Sequence, residues 1–187
     1  LTDLITSDLA PDVLSNVREY VDLPDITSDI RKVHRAYFLP FLFRLRGQPF
    51  SLKDHIQFMP MYDSEYVPEF IYICGRQTGK SLNLSRSEVL DLLSVPSLQL
   101  LYVAPLQSQT QRYSTLYLNE AIRSCELARK LQAKDLEGKL SDSKIMQAVG
   151  HQSFANGSGI QLTYAKTSAD RARGIYADRI DFDEIQD

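Results

Sequence analysis

The period of apolar and polar positions changes several times along the chain, and each change marks an element. Residues 98–104, LQLLYVA, are almost continuously apolar and bounded by prolines. A central parallel strand has this pattern, because helices cover both of its faces. Before it, Leu82, Val89 and Leu93 share one helical face with Leu90 beside it, predicting a helix from near Lys80 that fades before Pro96. After it, Tyr113, Tyr117, Ala121, Cys125 and Ala128 recur at helical steps, predicting one long amphipathic helix from Gln107 to about Leu131 with Cys125 in the core.

Shorter runs complete the pattern. FIYIC, residues 70–74, is rich in β-formers and too short for a helix, so a buried strand is expected there. QSFANGSGIQLTY predicts two strands around the Asn156-Gly157 turn. IYADRIDF, residues 175–182, is a last strand-like run: Arg179 and Asp181 interrupt it, while Ile180 and Phe182 keep a period-two apolar face. The tract KDLEGKLSDSK is a loop. Residues 1–48 are expected to be helical, broken by Pro11 and Pro24 and ended by Gly47 and Pro49. Their bases Arg31, Lys32, His34, Arg44 and Arg46 suit a solvated helix face better than a contact face for nucleic acid or a portal. The order of elements predicts an α/β fold with a mostly parallel central sheet flanked by helices. An N-terminal helical segment, 1–48, precedes a catalytic domain, 49–187.

Composition narrows the partners. With 43% hydrophobic and 24% charged residues, most of the chain is expected to fold. A net charge of −3 means that a polyanion would have to meet a local basic patch rather than a global field. Two cysteines and three histidines supply neither a disulfide framework nor a zinc set, which fits a reducing compartment. No apolar run approaches the roughly 20 residues of a membrane helix, so no membrane partner is expected. The chain begins with Leu and stops at Asp187, directly after an acidic motif, and is expected to be a piece of a longer protein.

The chemistry concentrates in two places. GRQTGKS, residues 75–81, lies between the expected strand and helix, the setting of a phosphate loop. Such a loop turns backbone N–H groups inward, so Gly75, Arg76, Gln77, Thr78 and Gly79 are candidates to cradle phosphates, Gly79 being the essential glycine. Lys80 would reach the β and γ phosphates of ATP, and Ser81 would offer its hydroxyl to Mg²⁺. Cys74 stands where the first glycine of such a loop is expected, so its first turn must differ. Arg76 adds a second cation, either beside the γ-phosphate or as an ordinary surface charge.

The second place is DRIDFDEIQD. Asp183 and Glu184 follow a strand, at the edge where ligands of parallel sheets collect. Alone, two adjacent acids are usually a solvated turn. Beside a phosphate loop, Asp183 is a candidate Mg²⁺ ligand and Glu184 the carboxylate that polarises the attacking water.

Taken together, GRQTGKS with its internal arginine, APLQSQTQRY, FANGSGIQLTYA, RARG and DFDEIQD resemble the ATPase domain of tailed-phage terminase large subunits over residues 50–187. The resemblance implies a RecA-like phosphate-loop NTPase of the additional-strand (ASCE) type that drives double-stranded DNA into a procapsid. A nuclease domain is implied downstream. It also implies a homo-oligomeric ring, a portal protein and a small terminase subunit as partners, and the cytoplasm of an infected bacterium as the setting. By position it implies that Arg173, with Arg171 as competitor, stabilises phosphoryl charge in a neighbouring subunit, and that Gln57 recognises adenine. Two other readings stay open. One is a fragment of a two-domain helicase, since DEIQ also resembles a helicase motif; the other is a nucleotide-binding assembly module without turnover.

Overall fold

The computed structural model describes residues 35–63, 69–132, 150–165 and 174–184. A 3₁₀ turn, Arg35–Phe38, leads into a short helix, α1 (Leu39–Leu42). The chain then reverses in a small hairpin, β1 (Arg44–Leu45) and β2 (Gln48–Pro49). The expected helix therefore stops short of residue 48. Arg46 and Gly47 take φ of 52° and 80°, and two consecutive left-handed residues form a tight hairpin turn rather than continue a helix. Arg31, Lys32 and His34 lie outside the described residues, as does the predicted loop KDLEGKLSDSK; Arg44 and Arg46 sit on this hairpin and are exposed.

A second 3₁₀ turn, Ile56–Phe58, and α2 (Met59–Asp63) precede the helix that organises the molecule, α3 (Lys80–Ser94). Its apolar residues lie where the sequence puts them, and it ends before Pro96 as expected. Its other faces are also covered: Asn83, Arg86, Glu88 and Asp91 are buried beside Val89, Leu90, Leu92 and Leu93. Buried charges need partners. Arg86 lies over the rings of Phe43 and Phe50 and ion-pairs with Glu120 at 2.7 Å.

The sheet has the order β4-β5-β3-β6, with β3 (Gln99–Ala104), β4 (His151–Ser153), β5 (Gly159–Tyr164) and β6 (Arg179–Phe182). Strand β3 runs parallel to both β5 and β6 and is buried along most of its length, as its apolar run requires. Strand β4 joins antiparallel to β5 around Asn156-Gly157. Gly157 has φ of 82° and packs against Ser97, while the Asn156 side-chain amide donates to the Leu92 carbonyl at 2.7 Å. The sheet is thus mostly parallel, in an α/β arrangement with helices.

Two further expectations need correction. Residues 70–74 are extended but join no strand among the described residues, and they are not buried: Ile71 and Ile73 are 72% and 93% exposed. Only alternate side chains pack inward, with Tyr72 stacked on Phe58 at 5.2 Å and Cys74 against the core. β-propensity fits a side chain to a pleated surface but does not supply a pairing partner.

The long helix is also interrupted. It runs as α4 (Gln107–Tyr113), a π-helical turn (Ser114–Leu118), α5 (Asn119–Ser124) and, after a break at Cys125, α6 (Glu126–Leu131). Steps of four residues overshoot the 3.6-residue turn, and a wider π turn absorbs the excess. Tyr113, Ala121, Cys125 and Ala128 still line the core. Cys125 caps α6 by accepting from the Ala128 N–H, and burial pushes its thiol pKa up to about 11, as befits an inert core thiol.

On β6 the apolar face is the outer one. Ile180 and Phe182 form the outer face, while Arg179 and Asp181 point inward to charged partners on α3.

Candidate functional site

The glycine-rich loop leads directly into α3, whose N-terminus presents unpaired backbone N–H groups and the positive end of the helix dipole. Gly79 caps the helix with φ of 89°, and a Cβ there would meet the His55 ring at 2.8 Å. The position therefore favours glycine for its conformation, and any larger residue would also have to displace the His55 ring. Its carbonyl accepts from the Asn83 side-chain amide at 3.0 Å. Upstream, the left-handed residue is Gln77, with φ of 59°, and neither Cys74 nor Gly75 has positive φ. The altered first turn predicted from Cys74 is thus made two residues after Gly75. Thr78 Oγ1 donates to the Gly75 carbonyl at 3.1 Å and ties the loop across itself.

Lys80 and Asp183, distant in sequence, meet here. Lys80 Nζ lies 2.6 Å from Asp183 Oδ1, with both side chains partly shielded from solvent. Asp183 follows β6, and its backbone N–H donates to the Val103 carbonyl at 2.9 Å, so the parallel pairing of β3 with β6 fixes its height above the loop. Asp183 Oδ2 accepts from the Tyr102 hydroxyl at 2.9 Å. Burial, reinforced by the Asp183 charge, raises the Tyr102 pKa far above its usual value, so this hydroxyl stays a donor.

Glu184 is exposed and holds φ of 53°, an uncommon conformation for a residue with a Cβ. Its carboxylate accepts a short hydrogen bond from Gln109 Nε2, and Gln109 Oε1 in turn accepts from the Leu106 N–H at 3.1 Å. The start of α4 therefore aims the Glu184 side chain. Ser81 is the second residue of α3. Arg76 is exposed and its guanidinium pairs with no described residue. Gln57 is exposed on the 3₁₀ turn next to His55, which touches Gly79. Arg171 and Arg173 lie outside the described residues.

Among the described residues no three His, Cys, Asp or Glu side chains converge as a metal cage. Magnesium in nucleotide sites takes most of its ligands from phosphate and water, with one or two from protein. Asp183 Oδ1 is buried and lacks a properly directed hydrogen bond despite the nearby ammonium. It can serve a cation. Lys80 and Asp183, which lie together, would fit phosphate and Mg²⁺.

Residues that the sequence did not single out support this site from behind. The Tyr102 ring stacks on Tyr113 at 3.9 Å, and the Tyr113 hydroxyl donates a short bond to buried Glu88. Glu88 Oε1 and Asp181 Oδ2 are both buried without a partner. Burial, then the Asp181 charge, raises the Glu88 pKa well above its usual value, against the opposing pulls of Tyr113 and Arg179. These effects favour the neutral form of Glu88.

A pH effect on stability follows from this. Below the usual Glu pKa of 4.5 both folded and unfolded chains hold the proton; above it only the unfolded chain releases it, so this group's contribution falls as pH rises. Glu88→Gln keeps an acceptor for Tyr113 and offers Asp181 an N–H. Urea midpoints of the variant are expected to gain on the parent between pH 5 and pH 8, by up to about 1.4 kcal/mol per pH unit. Parallel profiles would mean that Glu88 is charged.

Some of this was visible in the chain: Gln109 lies in the APLQSQTQRY stretch, and Arg179 and Asp181 were noted as interruptions. His55, Tyr102, Glu88 and Asp91 carry no signal of their own in a single sequence. Compared with protein-family models the chain matches none, and a search of curated proteins finds no match. No helix among the described residues is long and apolar enough to cross a membrane.

Proposed function

We propose that this chain is the ATPase unit of a motor of the terminase large-subunit kind, hydrolysing ATP with Mg²⁺ to move double-stranded DNA into a viral procapsid. The observation that carries the reading is the 2.6 Å approach of Lys80 to Asp183, two residues assigned to one site from unrelated stretches of sequence. Gly79 and the first N–H groups of α3 hold phosphate oxygens; Lys80 neutralises them. Ser81 and Asp183 would hold Mg²⁺, which would supply charge compensation on the phosphates. Glu184 takes a proton from the water whose oxygen bonds to the γ-phosphorus as the bond to the β-phosphate oxygen breaks. Arg76 adds positive charge beside the γ-phosphate. Arg173 or Arg171 would serve a neighbouring subunit, and Gln57 the adenine edge.

A RecA-like core, a ring of copies on a portal protein, a small-subunit partner and the infected bacterial cytoplasm belong to this reading. The test is Mg-ATP binding by calorimetry. Lys80→Ala removes charge-assisted bonds and is expected to weaken binding by about 10- to 100-fold or more. Equal affinity would remove the phosphate-loop assignment.

A further inference from the structure

The two oxygens of the Asp183 carboxylate are held by partners of different kinds. Oδ1 meets Lys80 Nζ, the tip of a long, partly exposed side chain on the first residue of α3. Oδ2 accepts from the Tyr102 hydroxyl at 2.9 Å. Tyr102 is buried in the middle of β3, which is paired on both sides, with β5 and with β6. Its ring lies within 6° of parallel to the Tyr113 ring, their centroids 3.9 Å apart, and the Tyr113 hydroxyl is itself bonded to buried Glu88. The Tyr102 hydroxyl therefore has little room to move. The lysine can leave its oxygen for another anion, whereas the phenol belongs to the core.

Strand pairing fixes the other end of the same contact. The Asp183 N–H donates to the Val103 carbonyl at 2.9 Å, so main chain and side chain of Asp183 are tied to consecutive residues of β3. A carboxylate held in this way does not turn freely. Oδ1, buried and without a well-directed hydrogen bond, is the oxygen left to a cation.

Cations differ in what they ask of a carboxylate. Calcium takes about six to eight oxygens in adaptable geometry and often takes both oxygens of one carboxylate. Magnesium is smaller and strictly octahedral, and in nucleotide sites it is served by single carboxylate oxygens beside phosphate and water. To turn both oxygens toward one ion, Asp183 would have to give up the Tyr102 bond and leave a buried hydroxyl unpaired, which is costly. We infer that Tyr102 sets the metal preference of the nucleotide site: by holding Asp183 Oδ2 it presents one oxygen to the cation and so favours magnesium over calcium. The inference rests on the reading of this site proposed above, and makes Tyr102 a positioning residue that acts through Asp183.

The test is calorimetric binding of ATP to the whole chain in excess Mg²⁺, in excess Ca²⁺ and in chelator alone, for the parent and for Tyr102→Phe. The variant keeps the ring and its stack on Tyr113 and removes only the hydroxyl. The parent is expected to bind ATP more tightly with Mg²⁺ than with Ca²⁺, and the ratio of the two affinities to fall by about tenfold in the variant. Thermal unfolding in chelator is recorded on the same samples. If Tyr102→Phe does not fold, Tyr113→Phe, which cuts the tie to Glu88 beneath the stack, is measured in its place and is expected to lower the ratio as well. A merely structural role would weaken binding with both metals in equal proportion, and an unchanged ratio overturns the inference. A parent with no preference for Mg²⁺ also overturns it. ATP binding that Lys80→Ala loses, but that is the same in chelator as with either metal, overturns the inference and leaves the phosphate loop standing. A parent that binds no ATP under any of these conditions removes both.

Discussion

Glu184→Gln is expected to bind Mg-ATP as tightly as the parent chain and to hydrolyse it about 10²- to 10⁴-fold more slowly, the range for loss of a positioned general base. The substitution isolates the proton-accepting role because the local geometry tolerates it. Gln109 Nε2 donates to Glu184, and an amide oxygen at 184 can accept the same bond. The left-handed backbone at 184 is independent of the side-chain charge. Lys80 and Asp183, which hold phosphate and metal in the proposed reaction, are untouched. A single-turnover assay beside equilibrium binding separates the two effects. Unchanged turnover would move the catalytic carboxylate elsewhere, Asp183 being the adjacent candidate. Weakened binding with normal turnover would make Glu184 a ligand-holding group.

The parts legible in the sequence are those where local pattern and final packing agree. LQLLYVA became the central strand because an unbroken apolar run must be covered on both faces, and Asn156-Gly157 became a turn because glycine supplies the required φ there. GKS and DE each stood out in the sequence, and the structure brings Lys80 and Asp183 to 2.6 Å, with β6 paired in parallel to β3. Other features depend on distant partners. FIYIC has the composition of a buried strand, but a strand needs a ladder, and residues 70–74 join none among the described residues. In β6 the alternation was legible and its direction was left open. Apolar residues normally define the inner face, but Arg179 and Asp181 turn inward because Asp91 and Glu88 wait on α3. Nothing local in IYADRIDF announces those partners.

The same inward face leads to the largest expected loss of stability, from Asp91→Ala. Asp91 is buried on α3 and accepts two guanidinium groups on separate oxygens: Arg35, entering before α1, and Arg179 of β6. Arg35 also donates to the Tyr62 carbonyl at 3.0 Å, and Tyr62 donates to Asn83 on α3. Arg179 also holds Asp181 at 2.9 Å. One carboxylate therefore joins the segment leading into α1, the helix that follows the glycine-rich loop and the strand that leads into Asp183. Removing one member of a buried charge group leaves the others desolvated, at a cost of about 3–5 kcal/mol. Arg35 and Arg179 retain 22% and 32% exposure, so water recovers part of this and about 2–4 kcal/mol is expected. Asp91→Asn, which keeps the shape but not the charge, should lose less than the alanine variant. Chemical denaturation of both variants measures this, and a loss below about 1 kcal/mol for alanine would show that the three elements are held by apolar packing alone. Mg-ATP affinity adds a readout that simple destabilisation does not share. If Asp91 fixes the position of β6, affinity in the folded fraction should fall in Asp91→Ala because Asp183 no longer stands over Lys80; an unchanged affinity would mean that the pairing of β6 with β3 suffices to hold it.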